Sequence, residues 1–479
     1  MEGVTETAGG AESSHSVTPR SRENGRIAVA FALGMAVVVA AVLLGRSYSF
    51  FASFLFFSTL MSLLWRRNLR ASVLLISVCA AVPISISRYQ VACNLILGTL
   101  LVGLHAPCLL RLPRWLYFTA GIAVFGLCTG SVNWLSGDVV RSIAREVTYL
   151  YNFFLGPFFL LPAVYLAMAE DGDSKAKVKG LLFCLILPST LILVAARLFG
   201  TVANEWEASL HVESLPQGFL QYRLGRVYVN FLRTEVGFIL AALICASAGV
   251  LVSGMRVAHR FLAGACLLGN VFLLFVTASF GSILASLCGL TTLALAHASA
   301  VGIRKAVASG AAIACLVAAT FLFCGPDVKA YLAKRYEHRI ERRNDDRLHL
   351  WVRAVESLWT HPEGVGWTML AGDRVRSYIH NDYLVYAVSY GIIGGWAYVI
   401  VVGILLVSFL RLRKKVLGDR WLVCIYLAGF GALVAVAANS MTDHMNSNRW
   451  YFNVIWSLIW YSYFSCSGDV MANSPRSQA

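Results

Sequence analysis

Long apolar runs separated by short polar connections recur along the chain from residue 27 to residue 466. A helix needs about 20 predominantly apolar residues to cross a bilayer, so the pattern predicts an all-α, polytopic transmembrane bundle of about fourteen spans. The predicted spans are residues 27–44, 48–65, 71–87, 91–110, 115–134, 149–169, 181–199, 231–254, 260–277, 280–298, 305–324, 383–410, 420–439 and 450–466. The third span is short, and the ninth and tenth meet at a tight turn near Ser279.

Positive charge marks every second connection between the predicted spans. The basic residues are Arg66, Arg67 and Arg70; Arg111 and Arg114; Lys175, Lys177 and Lys179; Arg256 and Arg260; Arg304 and Lys305; and Arg411, Arg413, Lys414 and Lys415. All six clusters fall on one side of the membrane when the spans are counted in order, and the positive-inside rule assigns that side to the cytoplasm. An even number of spans then leaves both termini in the cytoplasm.

Composition supports the membrane assignment and argues against several kinds of binding site. Hydrophobic residues make up 58% of the chain and charged residues 14%, whereas soluble proteins carry about 25% charged residues. The net charge of +15 falls largely in the connections between spans, so it indicates membrane orientation and not nucleic-acid binding. The twelve cysteines include no CxxC pair, which favours neither a metal site nor a disulfide framework. No phosphate-binding loop or nucleotide-binding domain is recognisable, and no cofactor is expected.

The longest polar connection predicts a large extracytoplasmic loop that contains amphipathic helices. The chain accordingly divides into a disordered cytoplasmic tail (1–26), spans 1–11 (27–324), the loop (325–382), spans 12–14 (383–466) and a second cytoplasmic tail (467–479).

Within the loop, residues 347–359 predict a helix with one apolar face. The residues on that face are Leu348, Trp351, Val352, Val355, Leu358 and Trp359. Two tryptophans on one face suit a helix at the membrane–water interface, and the alternative is that this face packs on the spans below. One proline and two glycines in residues 361–367 predict a sharp turn after the helix.

A polar cluster around His380 leads directly into the twelfth span. Asn381 and Asp382 stand where a span ordinarily begins with apolar residues, and the step Gly391-Ile392-Ile393-Gly394 permits close approach of a neighbouring helix. A neutral imidazole here could remove a proton from an alcohol, with Asp382 or Asp443 orienting the ring. A structural role for a histidine at a helix end is the alternative.

A second polar cluster, residues 440–446, contains Asp443 and His444 on the same side of the membrane. A metal site formed by His380, His444 and carboxylates is therefore a further alternative, although no zinc-ligand spacing supports it.

Three arginines, Arg223, Arg226 and Arg233, cluster at the entry to the eighth span. Arg233 is expected near the hydrocarbon boundary, where an unpaired charge costs several kcal/mol. A planar guanidinium at that depth suits a phosphate or pyrophosphate of a lipid. The alternatives are snorkelling to headgroups for Arg233 and ordinary loop charge for Arg223 and Arg226.

The stretch from about residue 340 to residue 400 carries a set of motifs. They are Arg347, Trp351, Ala354, His361-Pro362-Glu363-Gly364-Val365-Gly366-Trp367, Ser377, His380-Asn381-Asp382-Tyr383-Leu384 and Gly391-Ile392-Ile393-Gly394. This set resembles the signature region of the bacterial O-antigen ligase and polymerase superfamily, and the resemblance is weaker around residues 222–245 and 271–290.

The resemblance implies a metal-independent, inverting glycosyltransferase of the bacterial inner membrane, with its active site on the periplasmic side. Such enzymes pass glycan from undecaprenyl pyrophosphate to the hydroxyl of a glycan or lipid-linked acceptor. His380 would be the base. The supporting residues would be Asn381, Asp382, Tyr383 and Asp443, and the pyrophosphate-binding residues Arg223, Arg226, Arg233 and Arg347.

One departure from the family pattern concerns Phe280. The family often has Thr-x-Ser-Arg-Gly where this chain has Thr277-Ala278-Ser279-Phe280-Gly281, so a phosphate-facing arginine is replaced by phenylalanine. Either a loop arginine such as Arg347 takes its place, or the pyrophosphate binds differently.

Shared motifs do not separate the activities within the superfamily. We predict a polymerase that joins lipid-linked repeats, because fourteen spans exceed the number expected of ligases in this family. A ligase that moves finished glycan to lipid A-core and a protein O-oligosaccharyltransferase are the alternatives. A flippase for lipid-linked sugar, from a different class, would require polar residues along the middle of the membrane, and these are scarce.

Overall fold

The computed structural model describes residues 110–131, 154, 157–159, 161–169, 174–199, 201–202, 222–224, 227–229, 233–252, 256–277, 279–341, 345–365, 379, 381–442 and 449–472. The tail at 1–26 and the first four predicted spans, apart from Leu110, lie outside these residues.

Helices form most of the described chain, as the sequence predicts. They are α1 (Arg114–Ser131), α2 (Leu161–Ala169), α3 (Ser174–Gly180), α4 (Leu187–Phe199), α5 (Arg233–Val252), α6 (Val257–Thr277), α7 (Phe280–Val301), α8 (Ile303–Phe323), α9 (Pro326–Glu341), α10 (Asp345–Thr360), α11 (Asp382–Val416), α12 (Arg420–Thr442) and α13 (Arg449–Ala472). By length and composition, five helices of the described part are able to cross a membrane: α6, α7, α8, α11 and α12. The predicted turn near Ser279 and the predicted helix at 347–359 are confirmed by the break between α6 and α7 and by α10.

Two segments predicted as connections have regular structure. Lys175–Lys179 lies in α3, which continues through a π-helical segment, Leu181–Ile186, into α4. The helix continues because Lys177 is nearly buried, with its Nζ 3.4 Å from the carbonyl of Ser465, while the Tyr461 hydroxyl donates to the Lys177 carbonyl at 2.6 Å. A long aliphatic stem lets a lysine pack in this way.

The second segment is the connection at 200–230, which contains three short antiparallel strands. They are β1 (Thr201–Val202), β2 (Tyr222–Leu224) and β3 (Val227–Val229), in the order β1-β2-β3. Aromatic and β-branched residues favour strand pairing here. The strands are too short for an alternation of apolar and polar residues to be recognisable in the sequence.

The helices run so that the basic clusters of the described part lie at one end of the bundle, which we call the basic end. The hydrogen bond between Ser282 and Asn439 puts the start of α7 beside the end of α12, so the starts of α6 and α8 and the end of α11 lie at the other end of the bundle. The contact of Lys177 with Ser465, near the end of α13, puts the α3 lysines at the same end. The opposite end, which we call the polar end, carries the start of α5, α7 and α11 and the end of α12. The positive-inside rule predicts that the basic end faces the cytoplasm.

The core of the bundle is built around α5, which is buried on all sides from Val236 to Val250 and packs against α6, α7 and α12. Small residues permit these close contacts in a membrane bundle. A Cβ placed on Gly249 would lie 2.5 Å from the backbone nitrogen of Ala428 in α12, so no larger residue fits there without separating the two helices.

The predicted close approach at the Gly391–Gly394 step is confirmed at Gly394, where α1 crosses α11. A Cβ on Gly126 of α1 would lie 2.7 Å from the Cα of Gly394. The two backbones therefore touch directly at this crossing.

We expect Gly249→Ala to lower the free energy of unfolding by about 2 kcal/mol, because the added methyl group overpacks the α5–α12 contact. Gly310→Ala in α8 is the matched control. No atom of the described residues lies within 4 Å of a Cβ there, and replacing glycine within a helix is stabilising by up to about 1 kcal/mol. Melting temperatures of the two purified variants in detergent would check this, and equal melting temperatures would contradict the close contact.

Candidate active site

Buried polar side chains converge at the polar end, where the ends of α5, α7, α11 and α12 meet. In an apolar bundle such groups are costly unless they are hydrogen-bonded to one another. They form two clusters, which share the last turn of α12: Ser440 belongs to one and Asn439 to the other.

The first cluster links Asp382, Ser440 and Tyr398, all fully buried. The Ser440 hydroxyl donates to Asp382 Oδ2 at 3.0 Å, and the Tyr398 hydroxyl lies 2.9 Å from Ser440 Oγ. A serine hydroxyl has one hydrogen, so Tyr398 must be the donor to Ser440. The result is a relay of hydroxyls that runs from Tyr398 through Ser440 and ends on the buried carboxylate of Asp382. Hydrogen bonds to an ionised carboxylate are stronger than those between neutral groups.

The start of α11 is fixed by a cap as well as by this relay. The Asn381 side chain accepts a hydrogen bond from the backbone nitrogen of Leu384 at 3.1 Å, so Asn381 is the N-cap. Asp382 follows as the first helical residue, where the helix dipole favours negative charge. Both residues are buried, so the capped end points into the protein.

Aromatic rings surround the relay. The Tyr383 hydroxyl donates to the Ala437 carbonyl at 3.2 Å, and its ring centroid lies 5.3 Å from that of Tyr398. Tyr386 stacks on Tyr398 with ring centroids 4.7 Å apart. Tyr383 and Tyr386 thus both pack against the Tyr398 ring, whose hydroxyl belongs to the relay.

The second cluster joins α7 to α12 through Ser279, Ser282, Asn439 and Thr442. Asn439 Nδ2 donates to Ser282 Oγ at 3.0 Å, and the hydroxyls of Ser279 and Ser282 are 2.9 Å apart. Thr442 Oγ1 donates to the Asn439 carbonyl at 3.1 Å.

The motif around Phe280 is explained in part by this packing. Gly281 lies against Thr442, where a Cβ would come within 2.5 Å of its hydroxyl oxygen, and Gly237 of α5 lies against Ser279 and Ser282. The Phe280 ring is 6.1 Å from the Tyr336 ring of α9, centroid to centroid. Phe280 therefore contacts an aromatic ring of the loop.

A clasp of two glycines joins the loop after α10 to a break in α11. Gly391 has φ +77° and ψ 172°, a conformation essentially restricted to glycine, and Gly364 has φ +91°. The backbone nitrogen of Val365 donates to the Val388 carbonyl at 3.0 Å, and that of Ile392 donates to the Pro362 carbonyl at 2.9 Å. In a continuous helix Ile392 would donate to Val388, so the loop satisfies both groups that the break releases.

The helix α10 holds the chain immediately before His380. Trp351 Nε1 donates to the carbonyl of Ile379 at 2.6 Å, and both Ile379 and Ala354 are buried. The predicted apolar face of this helix is divided: Trp351 and Leu358 pack inward, whereas Leu348, Val352, Val355 and Trp359 are exposed. Packing on the bundle and an exposed apolar stripe therefore coexist on one helix.

The predicted site residues differ in how far the structure describes them. His380, Arg226 and Asp443 lie outside the described residues, as does His444. The backbones of the other three arginines are described: Arg223 lies in β2, paired with Tyr228 and Thr201, Arg233 begins α5, and Arg347 lies in α10. The side chains of these three arginines lie outside the described part. Among the described residues, no three His, Cys, Asp or Glu side chains are grouped to bind a metal ion.

Sequence reasoning missed Tyr398, Ser282 and Asn439 and did not assign a role to Ser440. The available signal was weak: isolated polar residues within apolar runs, with Ser279 and Ser282 spaced three apart on one helix face. Tyr398 gives no such signal, because tyrosine is common in membrane helices.

Comparison with known proteins gives one family match. Residues 265–399, from α6 to the first half of α11, match a family model described as O-antigen ligase. The matched region contains Ser282, Asp382 and Tyr398 together with both glycines of the clasp. No curated protein matches the chain. The match at residues 265–399 supports the resemblance of this part of the chain to the O-antigen ligase/polymerase superfamily.

Proposed function

We propose that this chain is a membrane glycosyltransferase that transfers an oligosaccharide from undecaprenyl pyrophosphate to an acceptor hydroxyl, and that it acts as a polymerase of O-antigen or related surface polysaccharide. The observation that carries the proposal is the anchoring of both chain neighbours of His380. Ile379 is bonded to Trp351, and Asn381 caps α11 beside the buried Asp382. A base needs such a fixed position to meet its substrate in a reactive geometry.

In the proposed reaction, His380 removes the proton from the acceptor hydroxyl as the oxygen attacks the anomeric carbon of the donor sugar. The new carbon–oxygen bond forms as the bond to the pyrophosphate oxygen breaks, and the electron pair leaves with undecaprenyl pyrophosphate. Attack opposite the leaving group inverts the anomeric centre. No metal ion is needed if fixed positive charge stabilises the leaving group.

The arginines are proposed to supply that charge. Arg233 begins α5 one turn before Gly237, which lies against Ser279 and Ser282. Its backbone is therefore at the polar end, beside the second polar cluster. The strand that carries Arg223 follows α4 at the same end, and Arg226 lies between β2 and β3 in the sequence. Arg347 lies in the first turn of the same helix that anchors Ile379.

Asp382 is proposed to position His380 from the protein side. One of its oxygens receives the Ser440 hydroxyl, which ties the residue two positions after His380 to α12. Tyr383 and Asn381 support the same helix start. Asp443, the next residue after the described end of α12, is the other candidate to orient the ring.

We place the polar end at the periplasmic face of the inner membrane, because the basic clusters lie at the opposite end of the bundle. A ligase that transfers finished glycan to lipid A-core is the second candidate, and the description of the matched family model favours it.

We expect His380→Ala to reduce glycan transfer by about 10²–10⁴-fold, because proton removal by a positioned base contributes about that much. His349→Ala, which changes an exposed histidine on α10, is the matched control and should retain activity. Transfer is measured with purified protein and lipid-linked donor, at equal expression. An active His380→Ala enzyme would refute the assignment of the base.

Tyr398→Phe should lower glycan transfer about tenfold, since it removes only the hydroxyl that fixes Ser440, a change of about 1.4 kcal/mol in the barrier. Tyr426→Phe is the control, because the buried Tyr426 hydroxyl has no hydrogen-bond partner within the described part of the chain. The ratio of kcat values decides: similar losses in both variants would show that the relay has no special role.

Deletion of the gene distinguishes the two candidate activities. A polymerase predicts surface polysaccharide capped with a single repeat, whereas a ligase predicts long lipid-linked chains that never reach lipid A-core. Polysaccharide gels of the deletion strain, with the wild-type gene restored as control, separate these outcomes. Unchanged polysaccharide in the deletion strain would contradict both.

A further inference from the structure

Four basic side chains meet at the basic end, where α3 lies beside the start of α6. Two belong to α3, one immediately precedes α6 and one lies in its first turn, and we call them the cation cluster: Lys175, Lys179, Arg256 and His259. The positive charges of the other three all act on the His259 imidazole, so the four groups share one region. They are brought together because α6 packs against the π-helical segment that follows α3.

The two lysines of the cluster lie on one face of α3. Lys175 and Lys179 are four residues apart, a spacing that puts them on the same side of a helix. Lys177 lies between them in the sequence, and its side chain is bonded to the Ser465 carbonyl of α13 instead. One cation of α3 is therefore held against the bundle, while the other two act on the start of α6.

The Phe183 ring packs against His259 from the π-helical segment. The two rings meet edge to face, with centroids 5.9 Å apart. His259 Nδ1 is buried and has no hydrogen-bond partner within the described part of the chain. An N–H group buried without an acceptor is costly, so we expect the proton of the neutral ring on Nε2. Nε2 is then the nitrogen that can donate a hydrogen bond to a ligand.

The charge of the cluster is not balanced by carboxylates of the described residues. None of these carboxylates forms an ion pair with Lys175, Lys179 or Arg256, and every charged group that acts on His259 is itself positive. Like charges held together repel, and an anion bound between them would remove that repulsion. The start of α6 favours an anion as well, because the first amides of a helix have no acceptor within it and the helix dipole is positive there.

We propose that the cation cluster binds the phosphate group of a phosphate monoester. Lys175, Lys179 and Arg256 carry fixed positive charges at neutral pH, and a monoester supplies about −1.5 to −2 charges to balance them. A lipid headgroup such as phosphatidic acid and a free phosphate both present this chemistry. Two exposed apolar side chains beside the cluster, Phe183 and Val257, favour the lipid. The site lies at the opposite end of the bundle from the candidate active site, so it does not depend on the proposed glycosyl transfer.

The test uses the full-length protein in a neutral detergent, stripped of lipid and kept in phosphate-free buffer. Phosphatidic acid should raise its melting temperature by about 3 °C or more, and clearly more than phosphatidylcholine does, since a ligand that binds only the folded state stabilises it. Inorganic phosphate distinguishes the two sources. A shift that phosphatidic acid produces and inorganic phosphate does not assigns the site to a lipid, whereas a full shift with inorganic phosphate alone assigns it to a free phosphate.

A matched pair of double variants tests the cluster itself. Lys179→Gln with Arg256→Gln removes two exposed charges from the cluster and should abolish the effect of phosphatidic acid. Arg411→Gln with Lys415→Gln removes two exposed charges elsewhere at the basic end and should leave the effect intact. Native mass spectrometry should find phosphatidic acid retained by the second double variant and lost by the first.

The melting temperature without any ligand gives an independent test. Because the cations repel one another when no anion is bound, Lys179→Gln with Arg256→Gln should raise that temperature or leave it unchanged. Glu170, Asp171 and Asp173 directly precede α3 in the sequence and lie outside the described residues. If these carboxylates neutralise the cluster, the same double variant should lower the melting temperature instead.

Three results would overturn the proposal. The first is equal stabilisation by phosphatidic acid and phosphatidylcholine together with no effect of inorganic phosphate. The second is an equal effect of phosphatidic acid on the two double variants, and the third is a lower melting temperature of the cluster variant without ligand. Glycan transfer is proposed to depend on residues at the polar end and can persist in every case, so failure here is distinguishable from failure of the proposed function.

Discussion

The break in α11 at Gly391 is the constraint on which the candidate site depends. Within a membrane bundle each backbone polar group needs a partner, since no water is available to replace one. The break releases the carbonyl of Val388 and the amide of Ile392, and the loop at 362–365 supplies both partners. The loop can approach so closely only because Gly364 and Gly391 lack side chains: a Cβ on Gly391 would lie 2.5 Å from the Glu363 carbonyl oxygen. The loop at 362–365 is thereby fixed to the membrane helix that begins just after His380.

Two separate sets of contacts then hold the chain on either side of His380. On the loop side, the clasp fixes the end of α10, and Trp351 of α10 bonds to Ile379. On the membrane side, Asn381 caps α11 and Asp382 is tied to α12 through Ser440. Because loop and bundle each fix one neighbour, a shift of the loop would change the position of the intervening residue directly. This arrangement offers a physical reason for the glycine turn, His-Asn and Gly-x-x-Gly to occur together in this chain.

The sequence predicts the parts of this arrangement that depend on local pattern. Apolar runs predict α6, α7, α8, α11 and α12, helical spacing predicts α10, and the alternation of basic connections predicts the basic end. It does not predict contacts between distant positions: Ser440 meets Asp382 across 58 residues, and Asn439 meets Ser282 across 157. The glycines of the clasp were visible as turn and packing signals, but their contact with each other depends on tertiary structure. The α3 helix was missed because its lysines indicate a solvated connection unless the packing of α13 is known.

Small residues and hydrogen-bonded polar residues have different positions in the bundle. In the middle of the bundle α5, α7 and α12 meet through Gly249, Gly289 and Gly431, and such contacts suffice to hold membrane helices together. Ser282, Asn439, Ser440 and Asp382 lie within about two turns of the polar end, where they are fully buried and hydrogen-bonded to one another across helices. Replacing buried charged or polar pairs by well-packed apolar residues often costs a protein no stability. We therefore propose that this buried polar network serves to position His380, the residue that adjoins it in the chain.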